Sequence, residues 1–166
     1  PTERLVKRYV MLCVNARYKG LITTITRILH FGKPEPKLLK QYRHNVEIEC
    51  RMIAATKPGV EVAVPFKTAI AAYKELGYAN EWRFHHQGGA MGYLARDIKV
   101  TEETKELVQE NQAFCWNPSI SGTKSEDGFV ATTQGPVMIT TPFIFPTINY
   151  EVNGIHISKP DLLIID

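Results

Sequence analysis

Three stretches of this 166-residue chain concentrate the side chains able to do chemistry. The first, VMLCVNARYKGLITTITR (Val10 to Arg27), carries one cysteine, Cys13. The second, HHQGGAMGYLARD (His85 to Asp97), sets two adjacent histidines before a glycine pair and ends on Arg96-Asp97. The third, NPSISGTKSEDGFVATTQGP (Asn117 to Pro136), holds Asn117-Pro118 and the acidic pair Glu126-Asp127. A histidine and a carboxylate such as His85 and Glu126 can act as an acid–base pair. The glycines after His86 suggest close backbone approach beside a pocket. Cys13 as thiolate could hold a soft metal, but it lacks the His or Cys neighbours that zinc wants. Each of these residues also has a plainer reading. The histidine rings could cap local backbone groups, and Glu126 could be a solvated turn residue. Asn117 could cap a turn with Pro118 or hydrogen-bond a substrate. Arg96 could be a surface ion-pair residue, although a guanidinium suits a carboxylate or other anion.

Composition narrows the class of protein. Hydrophobic residues make up 44% and charged residues 22%, the balance of a globular domain with a real core. The net charge of +3 comes from scattered basic residues, which gives no case for a nucleic-acid or membrane-surface partner. No apolar run approaches the ~20 residues of a membrane span, and the first residues lack a signal-peptide core. Three cysteines at irregular spacing make neither a disulfide framework nor a zinc knuckle. The expectation is reduced, mostly buried thiols in a cytoplasmic protein. The chain begins at Pro1, as if a methionine were removed or the sequence were a piece of a longer one.

The elements that must position these residues can be read from periodicity. Tyr9–Val14 is a short apolar run of the kind expected in a strand covered on both faces. Asn15–Gly20 supplies turn residues, and Leu21–Phe31 is rich in β-branched residues, so the pair reads as a long hairpin. Leu39, Tyr42, Val46, Cys50 and Ile53 form the apolar stripe of an amphipathic helix that Pro58-Gly59 ends, with Cys50 in the core. A second helix is expected from Pro65 to Gly77, with the stripe Phe66, Ile70, Tyr73 and Leu76. Thr101–Gln109 reads as a helical turn or loop. Gln112–Trp116, Gly128–Thr133, Val137–Thr140 and Ile148–Ile157 are strand-like, and Gln134-Gly135-Pro136 and Asn153-Gly154 supply turns. The aromatic cluster Tyr78, Trp82 and Phe84 reads as core or interface. Helices between hairpins mark an α+β domain with a largely antiparallel sheet.

In their order, the three segments resemble the pita-bread domain of the creatinase, aminopeptidase P and prolidase family of metallopeptidases. The resemblance runs from about Val10 to about Thr140. It implies a curved, mainly antiparallel sheet with flanking helices, and a single C-terminal catalytic-type domain over 1–166. It also implies that N-terminal helices, and a larger protein around this piece, are missing. Catalytic members hold two divalent metals with Asp, Asp, His, Glu and Glu. Carried over residue by residue, the first Asp falls on Cys13 and the second on Thr24. Laid on His85, Gly88, Gly92 and Asp97, the histidine motif puts the metal-binding His on Gly89 and the proton-handling His on Arg96. A second register makes His86 the ligand, with Gly89 as its partner glycine, but loses the match at Asp97. The first Glu falls on Asn117, which keeps its following proline, and only the last Glu survives, as Glu126.

Two dications about 3.5 Å apart repel by roughly 19 kcal/mol at an effective dielectric of 20, which four carboxylates normally offset. One carboxylate beside a thiol, a threonine, a glycine and an amide cannot. The expectation is therefore no metal and no other cofactor. Cys13 and Thr24 are expected to fill the vacated space, with Thr24 satisfied through its hydroxyl. The resemblance makes His85 and Glu126 the catalytic candidates, and Arg96, His86 and Asn117 the candidates for substrate binding. The favoured function is binding of a peptide- or amino-acid-like ligand by a degenerate Xaa-Pro dipeptidase-like domain, with a homodimer expected. The alternatives are a metal-independent C–N hydrolase of creatinase type, a conventional Xaa-Pro metallopeptidase, and a structural or dimerisation module.

Overall fold

The computed structural model describes residue 3 and residues 5–166; Pro1, on which the removed-methionine reading rests, lies outside them. The expected hairpin is present as β1 (Tyr9–Tyr18) and β2 (Leu21–Phe31), paired antiparallel with Cys13 opposite Thr26 and Asn15 opposite Thr24. Lys19 and Gly20 adopt positive φ angles of 49° and 89°, which close the turn in the left-handed region that glycine enters freely. Helix α1 (Pro36–Ala55) follows, with Pro36 in its first turn, and buries Tyr42, Val46, Cys50 and Ile53 as its apolar stripe requires. Helix α2 (Ala63–Glu75) packs beside it and starts two residues before the expected Pro65. Proline in a first helical turn surrenders no hydrogen bond, so Pro65 fits where it stands.

A five-stranded sheet then forms from β3 (Gly88–Ala90), β4 (Ile98–Lys99), β5 (Gln112–Trp116), β8 (Asp127–Thr132) and β9 (Gly135–Met138), in the order β4-β3-β5-β8-β9, with every pairing antiparallel. Two tiny strands, β6 (Ser119–Ile120) and β7 (Thr123–Lys124), make a tight hairpin just before Glu126. The β10 (Thr147–Val152) and β11 (Ile155–Pro160) hairpin turns at Asn153-Gly154, both with positive φ. Finally β12 (Leu163–Ile165) adds in parallel to β2. Thr101–Gln109 is loop, held by the hydroxyl of Thr104 accepting the backbone N–H of Thr101. Among the described residues, no helix is long and apolar enough to cross a membrane.

One reading needs correction. β1 is not covered on both faces: from Leu12 to Tyr18 it is exposed, because it is the edge strand of the β1-β2-β12 sheet and no described residues cover its outer face. With it, Cys13 is an exposed thiol, while Cys50 and Cys115 are buried. The aromatic trio also divides. Trp82 packs edge-on against Phe66 and Tyr78 against His44, whereas Phe84 is 75% exposed.

The core between helices and sheet is unusual in holding a charged centre. Lys159, fully buried, places Nζ 2.7 Å from Glu49 Oε2 and 2.5 Å from Asp127 Oδ2. Asp127 is also paired with Arg27 at 2.7 Å and accepts the Thr140 hydroxyl at 2.6 Å, while Glu49 accepts the Asp127 N–H and the Ser125 hydroxyl. Buried charges are tolerated when paired and hydrogen-bonded on all sides. Burial pushes the Glu49 carboxyl above its ordinary range, against the pull of Lys159. This network ties α1, β2, β8 and β11 together beneath the site described next.

Candidate functional site

Glu126 precedes β8, and its backbone bridges to β2: the N–H of Thr26 donates to the Glu126 carbonyl at 3.0 Å. Neighbouring residues in an extended segment point to opposite faces, so the acidic pair is split. Asp127 turns into the core network, and Glu126 faces the inner side of the β1–β2 hairpin. There Thr24 and Thr26, two residues apart and therefore on one face of β2, meet it. The hydroxyl of Thr26 donates to Glu126 Oε2 at 2.6 Å.

Two cations complete the setting. Arg96 Nη2 lies 2.9 Å from Glu126 Oε1, and Lys124 Nζ lies 2.8 Å from Oε2, each side chain 12% exposed and the carboxylate 5%. Arg96 also donates to the Thr24 hydroxyl at 3.2 Å. The Thr24 hydroxyl in turn donates to the Cys115 sulfur at 2.8 Å, which satisfies the buried hydroxyl. Cys115 is fully buried, and burial pushes its thiol far up. Burial alone would raise the Glu126 carboxyl as well. Lys124, Thr26 and Arg96 outweigh that and hold it at about 2, because each stabilises the ionised form.

The histidines stand beside this centre rather than in it. The rings of His85 and His86 stack with centroids 4.5 Å apart. Burial, His85 itself and the Arg96, Lys99 and Lys124 charges push His86 down to about 4; burial and then Lys124 lower His85 too, so both rings are neutral at pH 7. The Nδ1 atoms of both are buried without a hydrogen-bond partner, as are Asn117 Oδ1 and Arg96 Nε. Asn117 is buried at the end of β5, its N–H donating to the Gln87 carbonyl.

Gly89 lies in β3 with φ +153°, and a Cβ there would stand 1.8 Å from the Ile98 carbonyl oxygen of β4; at Gly88 it would stand 2.3 Å from the Cys115 carbonyl. The glycines do mark close backbone approach, but to neighbouring strands. The place that the first register assigns to a metal-binding His therefore has no room for a side chain. The chemistry of the donor set fits a metal poorly. Cys13 is exposed and its sulfur accepts the Thr26 hydroxyl at 3.4 Å, and Thr24 is committed to Cys115. Among the described residues, no three His, Cys, Asp or Glu side chains converge as metal ligands would.

The structure thus brings Thr24, Arg96 and Glu126 into contact and sets His85, His86 and Asn117 alongside. The sequence reading missed Thr26, Lys124 and Cys115. For the first two a signal was available: each lies two residues from a named site residue in an extended segment, the spacing that shares a strand face. Cys115 shares that spacing with Asn117, but its approach to Thr24, across strands about ninety residues apart, had no local signal. A cleft of about 360 Å³ opens beside the centre, lined by Met11, Cys13, Glu81, Phe84, His85 and the β6–β7 hairpin through Lys124.

Comparison with known proteins agrees with this architecture. The chain is similar to an uncharacterized peptidase of Staphylococcus aureus, 25% identical over 148 residues, covering 84% of this chain and 42% of that protein. It is 24% identical over 137 residues to the Xaa-Pro dipeptidase of Pyrococcus furiosus, covering 79% and 39%. The chain thus spans about two fifths of the length of these relatives. Among solved structures, a dipeptidase from Pyrococcus horikoshii superimposes with a TM-score of 0.80 at 18% identity, covering 99% of this chain and 44% of the other. That likeness supports the pita-bread fold. The sequence model of metallopeptidase family M24 matches residues 1–159, and the chain belongs to that family.

Proposed function

We propose that this chain is a metal-independent M24 domain that binds a peptide- or amino-acid-like ligand, its own cations standing where catalytic relatives of the family place divalent metals. The observation that carries this reading is the pair of ion contacts on Glu126, Arg96 at 2.9 Å and Lys124 at 2.8 Å on separate oxygens. A dication about 4 Å from either cation would be repelled by roughly 8 kcal/mol at an effective dielectric of 20. Among the described residues, no three His, Cys, Asp or Glu side chains gather to offset that. A hydrolase using Glu126 as general base is disfavoured for a related reason: a carboxyl held at about 2 has little affinity for a proton at neutral pH. The Xaa-Pro dipeptidase name of the Pyrococcus furiosus relative supports a peptide-like ligand.

The reading is tested by titrating the purified chain with Mn²⁺, Co²⁺ and Zn²⁺ in a calorimeter, with metal analysis after dialysis and assays on Xaa-Pro dipeptides. We expect no stoichiometric uptake and no metal-stimulated hydrolysis. Two equivalents of bound metal that disappear in Glu126→Gln would overturn the proposal and restore the metallopeptidase reading.

A further inference from the structure

We infer that Lys159 and Asp127 condense inside the core into an amide bond, with Glu49 as the proton carrier, so that the chain cross-links itself after folding. The three side chains come from β11, the start of β8 and α1, and each is at most 1% exposed. Lys159 Nζ lies 2.5 Å from Asp127 Oδ2 and 2.7 Å from Glu49 Oε2. An ion pair held this deep is costly to keep, because its charges are cut off from water. Turning it into an amide and a water removes one charge of each sign and leaves Arg27 and Glu49 to balance each other.

The surroundings of Asp127 suit an acyl centre. Its Oδ1 accepts from Arg27 Nη2 at 2.7 Å and from the Thr140 hydroxyl at 2.6 Å. Donors so placed stabilise the charge an oxygen gains when a nucleophile adds to its carbon. Oδ2 faces the amine. The step balances within these groups. One proton passes from the ammonium to Oδ2, giving an amine and a carboxyl group. Nζ then bonds to Cγ, and Oδ1 takes the negative charge. Glu49 accepts a second proton from Nζ and delivers it to Oδ2; the Cγ–Oδ2 bond breaks and one water leaves. Glu49 ends ionised, as it began. Its carboxylate is fixed for that task by the Asp127 N–H at 2.8 Å and by the Ser125 hydroxyl. Burial weakens the hold of Lys159 on its proton, but Asp127 and Glu49 outweigh it, so the amine is a minor state and the bond forms slowly. The Gly128 N–H, which could compete for Cγ, is engaged on the Thr140 hydroxyl at 3.1 Å. The finished amide is protected from hydrolysis by the same exclusion of water.

The experiment is mass spectrometry of the purified chain, held folded in neutral buffer for several days, then unfolded and cleaved after glutamate. Cleavage at Glu126 and Glu151 places Asp127 on the peptide 127–151 and Lys159 on the peptide 152–166. The intact chain should weigh one water less than its sequence, and the two peptides should arrive joined as one branched species. Lys159→Arg should keep the full mass and give two separate peptides. Glu49→Gln should slow the joining at least tenfold, with circular dichroism to check folding; if it does not fold, the unaltered chain and Lys159→Arg decide. Full mass with separate peptides in the unaltered chain would overturn the inference. So would a lost water with the peptides still separate, the mark of a succinimide at Asp127-Gly128, or joining at an unchanged rate in folded Glu49→Gln.

Discussion

Replacing Glu126 by glutamine keeps the shape of the side chain and removes the charge on which Arg96, Lys124 and Thr26 converge. Two cations, each 12% exposed, would then face a neutral amide, and breaking a buried pair from one side costs about 3–5 kcal/mol. The pH dependence makes the cause identifiable. The carboxyl is held near 2 instead of its ordinary 4.5, and one unit is worth about 1.4 kcal/mol. The ionised carboxylate thus contributes on the order of 3 kcal/mol, present above pH 4.5 and lost as the pH falls toward 2. The variant has no such term, so the stability gap between the two proteins should be widest at pH 5–7 and shrink steadily below 4.5. Urea unfolding followed by tryptophan fluorescence, with Trp116 fully buried, measures the gap at each pH. Adding Lys124→Met to the variant should recover part of the loss, because it removes one stranded cation. A gap below about 1 kcal/mol at pH 7, or one that stays constant from pH 3 to 7, would refute the account of Glu126 as an internally neutralised carboxylate.

Other expectations concern the frame around the site. Lys159→Met strands Glu49 in the core and leaves Asp127 to Arg27 alone, and should cost about 3–5 kcal/mol; thermal melts showing an unchanged midpoint would contradict the network described for the core. His86 should titrate near 4 rather than 6.5, read from its ring ¹³C–¹H shifts, and a midpoint at 6 or above would show that its surroundings are not as described. In the native protein one thiol, Cys13, should react with a disulfide reagent within minutes, and Cys50 and Cys115 only after unfolding; rapid reaction of more than one thiol would count against the burial of the other two. Gly89→His should destabilise the fold, since its side chain meets the Ile98 carbonyl, and should bind no Co²⁺ by calorimetry; a stable, cobalt-binding variant would reopen the metal reading.

Local signals carried much of this architecture. The hairpin turn at Lys19-Gly20, the stripe on α1 and the Asn153-Gly154 turn each follow from a period or a residue type acting over a few positions. The short strands β3, β4, β6, β7 and β12 did not announce themselves. Two or three residues are too few to show a period, and pairing with distant partners creates them. The exposure of β1 was illegible for the same reason: an apolar strand reads alike whether a neighbour covers it or not.

What the sequence by itself determined is the donor inventory. A threonine cannot become an aspartate in any fold, so on the first register Cys13, Thr24, Gly89 and Asn117 stand where four of the five metal-binding side chains are expected. Only the tertiary structure decided what became of the one that remained. Whether Glu126 would be a solvated turn residue, a proton carrier or the anchor of two cations depended on Arg96, thirty residues away, and on β2, a hundred residues away, folding onto it. Coulombic attraction depends on distance in space, and spacing along the chain does not encode that distance.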